Sequence, residues 1–590
     1  MRDKCQNARL ERWRLGSVCA VLLAGFFVLA ARLVWIQGVR HDFWVARARS
    51  HQERRQTVFA ERGMIRDRNG SILAMNAEAW SIFVRPTEVR HPEEVARRLA
   101  PIANPRRVLK QLHTKKPFVY IARETDEDFA EEVSRSPLSG IGVESESGRY
   151  YPKRLLSGQV IGVASVDNNG LEGVELRHDA RLRGQDDRRI VQRDARGRSV
   201  FPKNFEYMPA PHGDDIVLAI DEVIQYVSER ELGVAIETSG AKGGVAIVMN
   251  PHNGEVLAMA TLPRVNPNAV TRQRPGDRRN RAITDLYEPG STFKIVTAAA
   301  ALAADVVYPE EWIDCEQGSY RVPGAGRTLL HDHDPIGVVP FRQVVAQSSN
   351  IGMAKIAQRL GPARLAESIR AFGFGERLGI DLEGERAGQV HDRARWSGRS
   401  LVSIAIGQEI GVTPLQMASA MSVIANGGWL MSPRIALSVP CVTTACSETE
   451  LDRDPMPLRR VLTTEVSQQM TRILKEAVSD GTGANARIPG YSVAGKTGTA
   501  QKIDPATGRY FPDRAVSSFV GFVPAERPAV VILVVIDEVP GHGWGGKVAA
   551  PVFSAIGAEV LHYLRIPPDP TVADSPVNGN ESASAARRGV

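Results

Sequence analysis

The 590 residues contain five cysteines, one long uncharged run and no internal repeat. Absence of a repeat excludes solenoids and propellers, which announce themselves by a fixed period. Neither Cys-x-x-Cys nor His-Glu-x-x-His occurs, so the common zinc signatures are missing. His331-Asp-His-Asp334 has metal-like composition, but it precedes an apolar run and reads as a loop; no metal and no cofactor is expected. The net charge of +7 comes without a nucleic-acid-reading motif, and arginines spread along residues 40 to 200 read as a solvated basic surface. With 43% hydrophobic residues the chain can build cores, and its length suits two or three domains.

The single uncharged run, Leu15 to Ala31, follows Arg2, Lys4, Arg9, Arg12 and Arg14. Arg32 near its end can snorkel, and apolar residues resume at Leu33. Trp13 and Trp35 would lie roughly 33 Å apart on a helix, a spacing that suits two interfacial anchors. The expectation is one transmembrane anchor over residues 15–37. The basic segment 1–14 then stays in the cytoplasm and everything beyond residue 40 faces outward, periplasmic or extracytoplasmic. The competing reading is a cleavable signal peptide, with Val28-Leu-Ala30 as its small-residue site. In an oxidising compartment Cys441 and Cys446, which flank a short polar stretch, are candidates for a local disulfide.

Three short motifs carry chemistry: Ser291-Thr-Phe-Lys294, Ser348-Ser-Asn350 and Lys496-Thr-Gly-Thr499. Glu288-Pro289-Gly290 breaks the chain, and the alanine-rich run to Ala304 reads as a buried helix. At i and i+3, Ser291 and Lys294 share a helix face. Burial lowers an amine's pKa, and a neutral Lys294 can take the Ser291 proton. Ser348 could relay a proton to a leaving amine and Asn350 could hold a substrate amide, although Ser-x-Asn is also an ordinary helix cap. Lys496 to Thr499 reads as part of a strand over Tyr491–Thr499. Gly498 there admits a peptide along the edge, and Lys496, Thr497 and Thr499 can bind a carboxylate. Backbone N–H groups of Ser291 and Thr499 are candidates for an oxyanion hole. Ser239-Gly-Ala-Lys242 repeats the first spacing in a glycine-flanked connection and is read as non-catalytic.

Together these motifs resemble the class B penicillin-binding proteins, the peptidoglycan D,D-transpeptidases inhibited by β-lactams. The resemblance extends to Arg62-Gly-Met-Ile-Arg-Asp-Arg-Asn-Gly, Arg149-Tyr-Tyr-Pro152, Gly170-Leu-Glu-Gly-Val-Glu175, Ala219-Ile-Asp221 with Gln225, and Gly545-Gly-Lys-Val-Ala-Ala-Pro551. It implies catalytic roles for Ser291, Lys294, Ser348, Asn350 and Lys496, and substrate binding by Thr497, Gly498 and Thr499. It implies peptidoglycan stem peptides as substrates and β-lactams as inhibitors. Partners would be a polytopic glycan polymerase and other division proteins at the inner membrane, with no nucleic acid. Length and the lack of appended repeats are most similar to the septal, cell-division branch. Gly407-Gln408 is the opening associated with other branches, so elongation and sporulation types stay open. A serine β-lactamase would need a Glu-x-x-x-Asn after the second motif, absent between Ile351 and Ala425, and Ser349 stands where Ser-Asp-Asn has aspartate. A β-lactam sensor would need several spans. A non-catalytic scaffold would retain the fold without reason to retain all three motifs.

The expected fold is α+β. An antiparallel sheet packed between helices, penicillin-binding/β-lactamase-like, occupies residues 236–566, with strands at Gly243–Met249, Glu255–Ala260, Tyr491–Thr499, Ser517–Val523 and Ala529–Ile536. Residues 41–235 form an elongated, non-catalytic pedestal of the dimerisation type. Residues 567–590, rich in Pro, Ser, Ala and Asn, read as a disordered tail.

Overall fold

The computed structural model describes residues 2–58, 60–114, 116–125, 127–135, 138–193, 199–200, 212–323, 329–438, 456–503, 507–541, 543–569 and 572. The Cys441–Cys446 pair and most of the 567–590 segment lie outside the described residues. The chain divides into two compact units, residues 1–61 with 185–212, and residues 62–184 with 213–590.

The first unit is built on a 33-residue helix, α1 (Arg2–Val34), which runs on through a π-helical turn at Trp35–Val39. The 28 residues Arg12–Val39 are long and apolar enough to cross a membrane, and Leu22, Phe26 and Phe27 are exposed along them. A three-stranded antiparallel sheet of Glu53–Val58, Asp187–Arg193 and Ser199–Val200 completes this unit.

In the second unit the 13-residue strand β1 (Ile72–Val84) pairs antiparallel with β2 (Ile141–Tyr150), from Met75 opposite Tyr150 to Val84 opposite Ile141. Their sheet continues through Ile65–Arg66 and Ile216–Leu218 to Ala436–Ser438, so the N-terminal part and the C-terminal part share one sheet. Beside it the motif residues that are far apart in sequence converge. Arg62 Nε donates to Glu175 Oε2 at 2.6 Å and Nη1 to Asp179 at 2.7 Å, while Arg149 Nε donates to Glu175 Oε1 at 2.7 Å. Glu175 is fully buried, so each charge depends on the others for solvation. Asn69 Nδ2 and Tyr563 Oη both donate to Asp221 Oδ2, at 2.9 and 3.2 Å, tying the Arg62–Gly70 motif to Ala219-Ile-Asp221 and to the last helix.

Five antiparallel strands form the second sheet: β3 (Gly243–Met249), β4 (Val256–Leu262), β5 (Ala494–Ile503), β6 (Tyr510–Val523) and β7 (Val530–Pro540), in the order β4-β3-β7-β6-β5. The helices that matter here are α2 (Glu222–Ser239), α3 (Lys294–Ala303), α4 (Phe341–Ala346), α5 (Asn350–Leu360), α6 (Pro414–Ala425), α7 (Thr464–Ser479) and α8 (Gly545–Tyr563). Side chains alternate across the sheet. Ala246 and Val248 of β3 join Ile532 and Val534 of β7 in a core with Ile224 and Val227 of α2 and Phe553 and Ile556 of α8. Val245, Ile247 and Met249 join Leu533 and Val535 on the opposite face, against α3, α5, α6 and α7. Both faces are therefore buried, which is why these strands are near-continuous apolar runs. This is the expected α+β sheet between helices. β5 ends the sheet order, leaving its outer edge to the site.

Candidate active site

Ser291 does not open an α-helix as its sequence suggests. Gly290–Phe293 form a 3-10 turn, and α3 begins at Lys294. The reason is long-range: Gly290 adopts φ +53°, donates its N–H to Gly407 O at 3.0 Å, and lies where an added Cβ would sit 2.7 Å from Thr499 O. A 3-10 turn eclipses residues three apart, so it stacks Ser291 over Lys294 better than an α-turn would. It also brings the serine against β5.

Lys294 is wholly buried. Its Nζ donates to Ser348 O at 2.6 Å and Asn350 Oδ1 at 2.7 Å, and reaches Ser348 Oγ at 3.2 Å. The first two oxygens can only accept, so they take two N–H groups. Ser348 Oγ, a hydroxyl, can donate as well as accept, so this third contact does not oblige the amine to carry a third proton. Burial pushes the amine down to about 7, with Asp332 and then Cys315 opposing the shift. The base is thus poised near neutrality.

The second motif splits its two readings between adjacent residues. Ser349 is the cap: its Oγ accepts from Gly352 N at 2.9 Å. Ser348 instead adopts the left-handed conformation, φ +63°, which turns it toward Lys294. Asn350 is already engaged at both ends, Oδ1 by Lys294 and Nδ2 by a hydrogen bond to His331 O at 2.9 Å. One Nδ2 hydrogen remains for a substrate amide.

On β5, Lys496 is fully buried and donates to Thr497 O at 3.3 Å. The sequence reading assigns Lys496 a positive charge. Here burial, and then Lys294, push its pKa well below the ordinary lysine value, so an anion docking nearby would favour its ammonium. Thr497 Oγ1 lies 2.6 Å from Thr482 Oγ1, and Thr499 Oγ1 accepts from Gly545 N at 3.0 Å, which leaves its own O–H to donate into the cleft. Gly498 has a packing reason beside the expected approach of a peptide. A Cβ there would lie 2.5 Å from Ser518 Oγ, 2.8 Å from Thr292 Cγ2 and 2.9 Å from Pro289 O, so the glycine lets the Ser291 turn pack on the strand.

A cleft of about 670 Å³ gathers Ser291, Ser348, Asn350, Thr497 and Thr499. Trp544 lines it and meets His333 edge-to-face with ring centroids 4.3 Å apart. Two residues escaped the sequence reading, Thr482 and Asp332; neither has a local signal, since each reaches its motif partner through the fold. The repeat of the first spacing is structural. Ser239 ends α2 and donates to Ala235 O at 2.6 Å, while Lys242 pairs with Glu538 on the surface.

The sequence model of the penicillin binding protein transpeptidase domain matches residues 244–558, and that of the penicillin-binding protein dimerisation domain matches residues 57–218. The chain belongs to the class B penicillin-binding proteins, the peptidoglycan D,D-transpeptidases. It is 35% identical to Stage V sporulation protein D of Bacillus subtilis over 93% of this chain and 86% of that protein. It is 33% identical to the peptidoglycan D,D-transpeptidase FtsI of Escherichia coli over 96% of this chain and 94% of that protein. The crystal structure of penicillin binding protein 3 from Mycobacterium tuberculosis complexed with ampicillin is similar with TM-score 0.67 and 30% identity, covering 87% of this chain and 98% of that one.

Proposed function

We propose that Ser291 is the nucleophile of a two-step acyl transfer that crosslinks stem peptides during septal wall synthesis. The observation that carries the chemistry is Lys294, wholly buried, its Nζ held by Ser348 and Asn350 one 3-10 turn from Ser291. Neutral Lys294 takes the Ser291 proton as Oγ attacks the carbonyl between the two terminal D-alanines. Backbone N–H groups of Ser291 and Thr499 receive the oxyanion. The terminal carboxylate docks on Thr497 and Thr499, and its charge favours the ammonium of Lys496. Ser348 relays the proton to the departing D-alanine. An amine from a neighbouring stem peptide then attacks the ester, releasing Ser291. A β-lactam enters as the donor does and leaves a persistent ester.

In the same reading residues 1–14 are cytoplasmic, 15–37 anchor the chain in the inner membrane, 41–235 serve as pedestal and 236–566 as the outward-facing catalytic domain. A polytopic glycan polymerase and other division proteins are the proposed partners. The septal assignment is supported by the near end-to-end match with FtsI; sporulation-type function is the second reading, favoured by the similarity to Stage V sporulation protein D. Depletion distinguishes division from elongation: filaments support the septal role, and round cells refute it. For the chemistry, labelled penicillin should form a stable adduct that is lost in Ser291→Ala and kept in Ser239→Ala. Labelling that survives Ser291→Ala removes that serine from the role.

A further inference from the structure

The proposed acylation scheme leaves Asp332, a charged group lining the cleft, without a task. Asp332 follows the strand Leu329–His331 and lies 16 residues before Ser348, yet its carboxylate grips the second motif. It accepts from Ser349 Oγ at 2.6 Å, from Ile351 N at 3.1 Å and from Asn350 N. The backbone donors are the first N–H groups of α5, where an anion is favoured. Ser349 is locked twice over, since the oxygen that donates to Asp332 also accepts from Gly352 N.

Ser348 stands between two sets of restraints. On its N-terminal side Ser348 N donates to Val345 O at 3.2 Å and Ser349 N to Val344 O at 2.9 Å, closing the end of α4. On its C-terminal side the restraints are those of Asp332. A left-handed serine persists only where its surroundings over-determine it. Here the unusual φ has a consequence, because the carbonyl and the hydroxyl of Ser348 both reach Lys294 Nζ. We propose that Asp332 is a positioning residue for acylation, clamping Ser349 and Asn350 so that Ser348 keeps the left-handed turn that presents both of its oxygens to Lys294. This rests on Ser291 and Lys294 acting as described above.

Asp332 also acts on Lys294 through its charge. Of the groups facing that amine, Asp332 and Cys315 favour the ammonium, and Lys496 stands beside it as a second buried lysine. Neutralising Asp332 therefore lowers the pH at which Lys294 releases its proton. A purely structural aspartate would change the rate without moving that pH.

The test is the second-order rate of acylation of the full chain in detergent micelles by a fluorescent penicillin, measured from pH 5.5 to 9. Asp332→Asn keeps the shape and loses the charge. It should cut the plateau rate about tenfold through misplacement. Its rising limb should also move to lower pH by on the order of half a unit. Ser349→Ala and Asp332→Glu, which both keep the carboxylate, should lower the rate with the limb unmoved. An Asp332→Asn limb that coincides with the wild-type limb, or a plateau within about twofold of wild type, overturns the inference. If wild-type chain is not labelled on Ser291 at all, the acyl-transfer reading fails instead, so the two failures are distinct.

Discussion

Substituting alanine for Gly498 tests how the first and third motifs are held together. The added Cβ meets Thr292 Cγ2 at 2.8 Å and Pro289 O at 2.9 Å on one side, and Ser518 Oγ at 2.5 Å on the other. Carbon atoms settle about 3.5 Å apart, so the turn bearing Ser291 must retreat by roughly 0.7 Å. Over-packing of this kind costs about 1–3 kcal/mol. A 1 Å displacement of reacting groups costs on the order of 10²-fold in rate, so about tenfold is expected here. The assay is the acylation rate with fluorescent penicillin alongside the melting temperature, and both should fall. Adding Ser518→Gly removes the 2.5 Å contact but neither of the other two, so it should not restore the rate. If Gly498→Ala acylates within about twofold of wild type while folded, the glycine is not what seats the Ser291 turn.

Three other outcomes follow from the same geometry. With Lys294 near 7, acylation should climb from about one-tenth of its plateau at pH 6 to about nine-tenths at pH 8, and a flat profile across that range contradicts a neutral-amine base. Unfolded Lys294 keeps its proton up to an ordinary 10.5, so between 7 and 10.5 the unfolded state binds more protons and stability rises with pH. Lys294→Met should therefore show a shallower rise in denaturation midpoint from pH 7 to 10 than wild type, and an equal rise would refute the depressed amine. Glu175→Ala strands Arg62 and Arg149 without their shared carboxylate; chemical denaturation should show a loss of about 3–5 kcal/mol, and a loss under about 1 would mean the cluster is not solvating itself.

Much of this was legible in the sequence because burial on both faces leaves a plain mark. Gly243–Met249 is the same span in expectation and structure, and Val256–Leu262 differs only at its ends. β5 begins at Ala494, three residues later than expected, and runs to Ile503, because pairing with β6 sets its limits. What stayed hidden was decided by partners distant in the chain. The 3-10 start at Ser291 depends on Gly290 meeting Gly407 and Thr499. The lowered pKa of Lys496 comes from burial and from a lysine that only the fold places beside it. Asp332 lay in a tract weighed as metal or loop, and it turned out to cap the second motif. The left-handed Ser348 was masked because the cap signal belonged to its neighbour, Ser349.

The protonation of Lys294 can be read directly by following its ¹³Cε resonance in the chain labelled at lysine, assigned by its absence from Lys294→Met. A titration midpoint near 7 is the result this account predicts. A resonance that stays that of an ammonium until about pH 10 would contradict it.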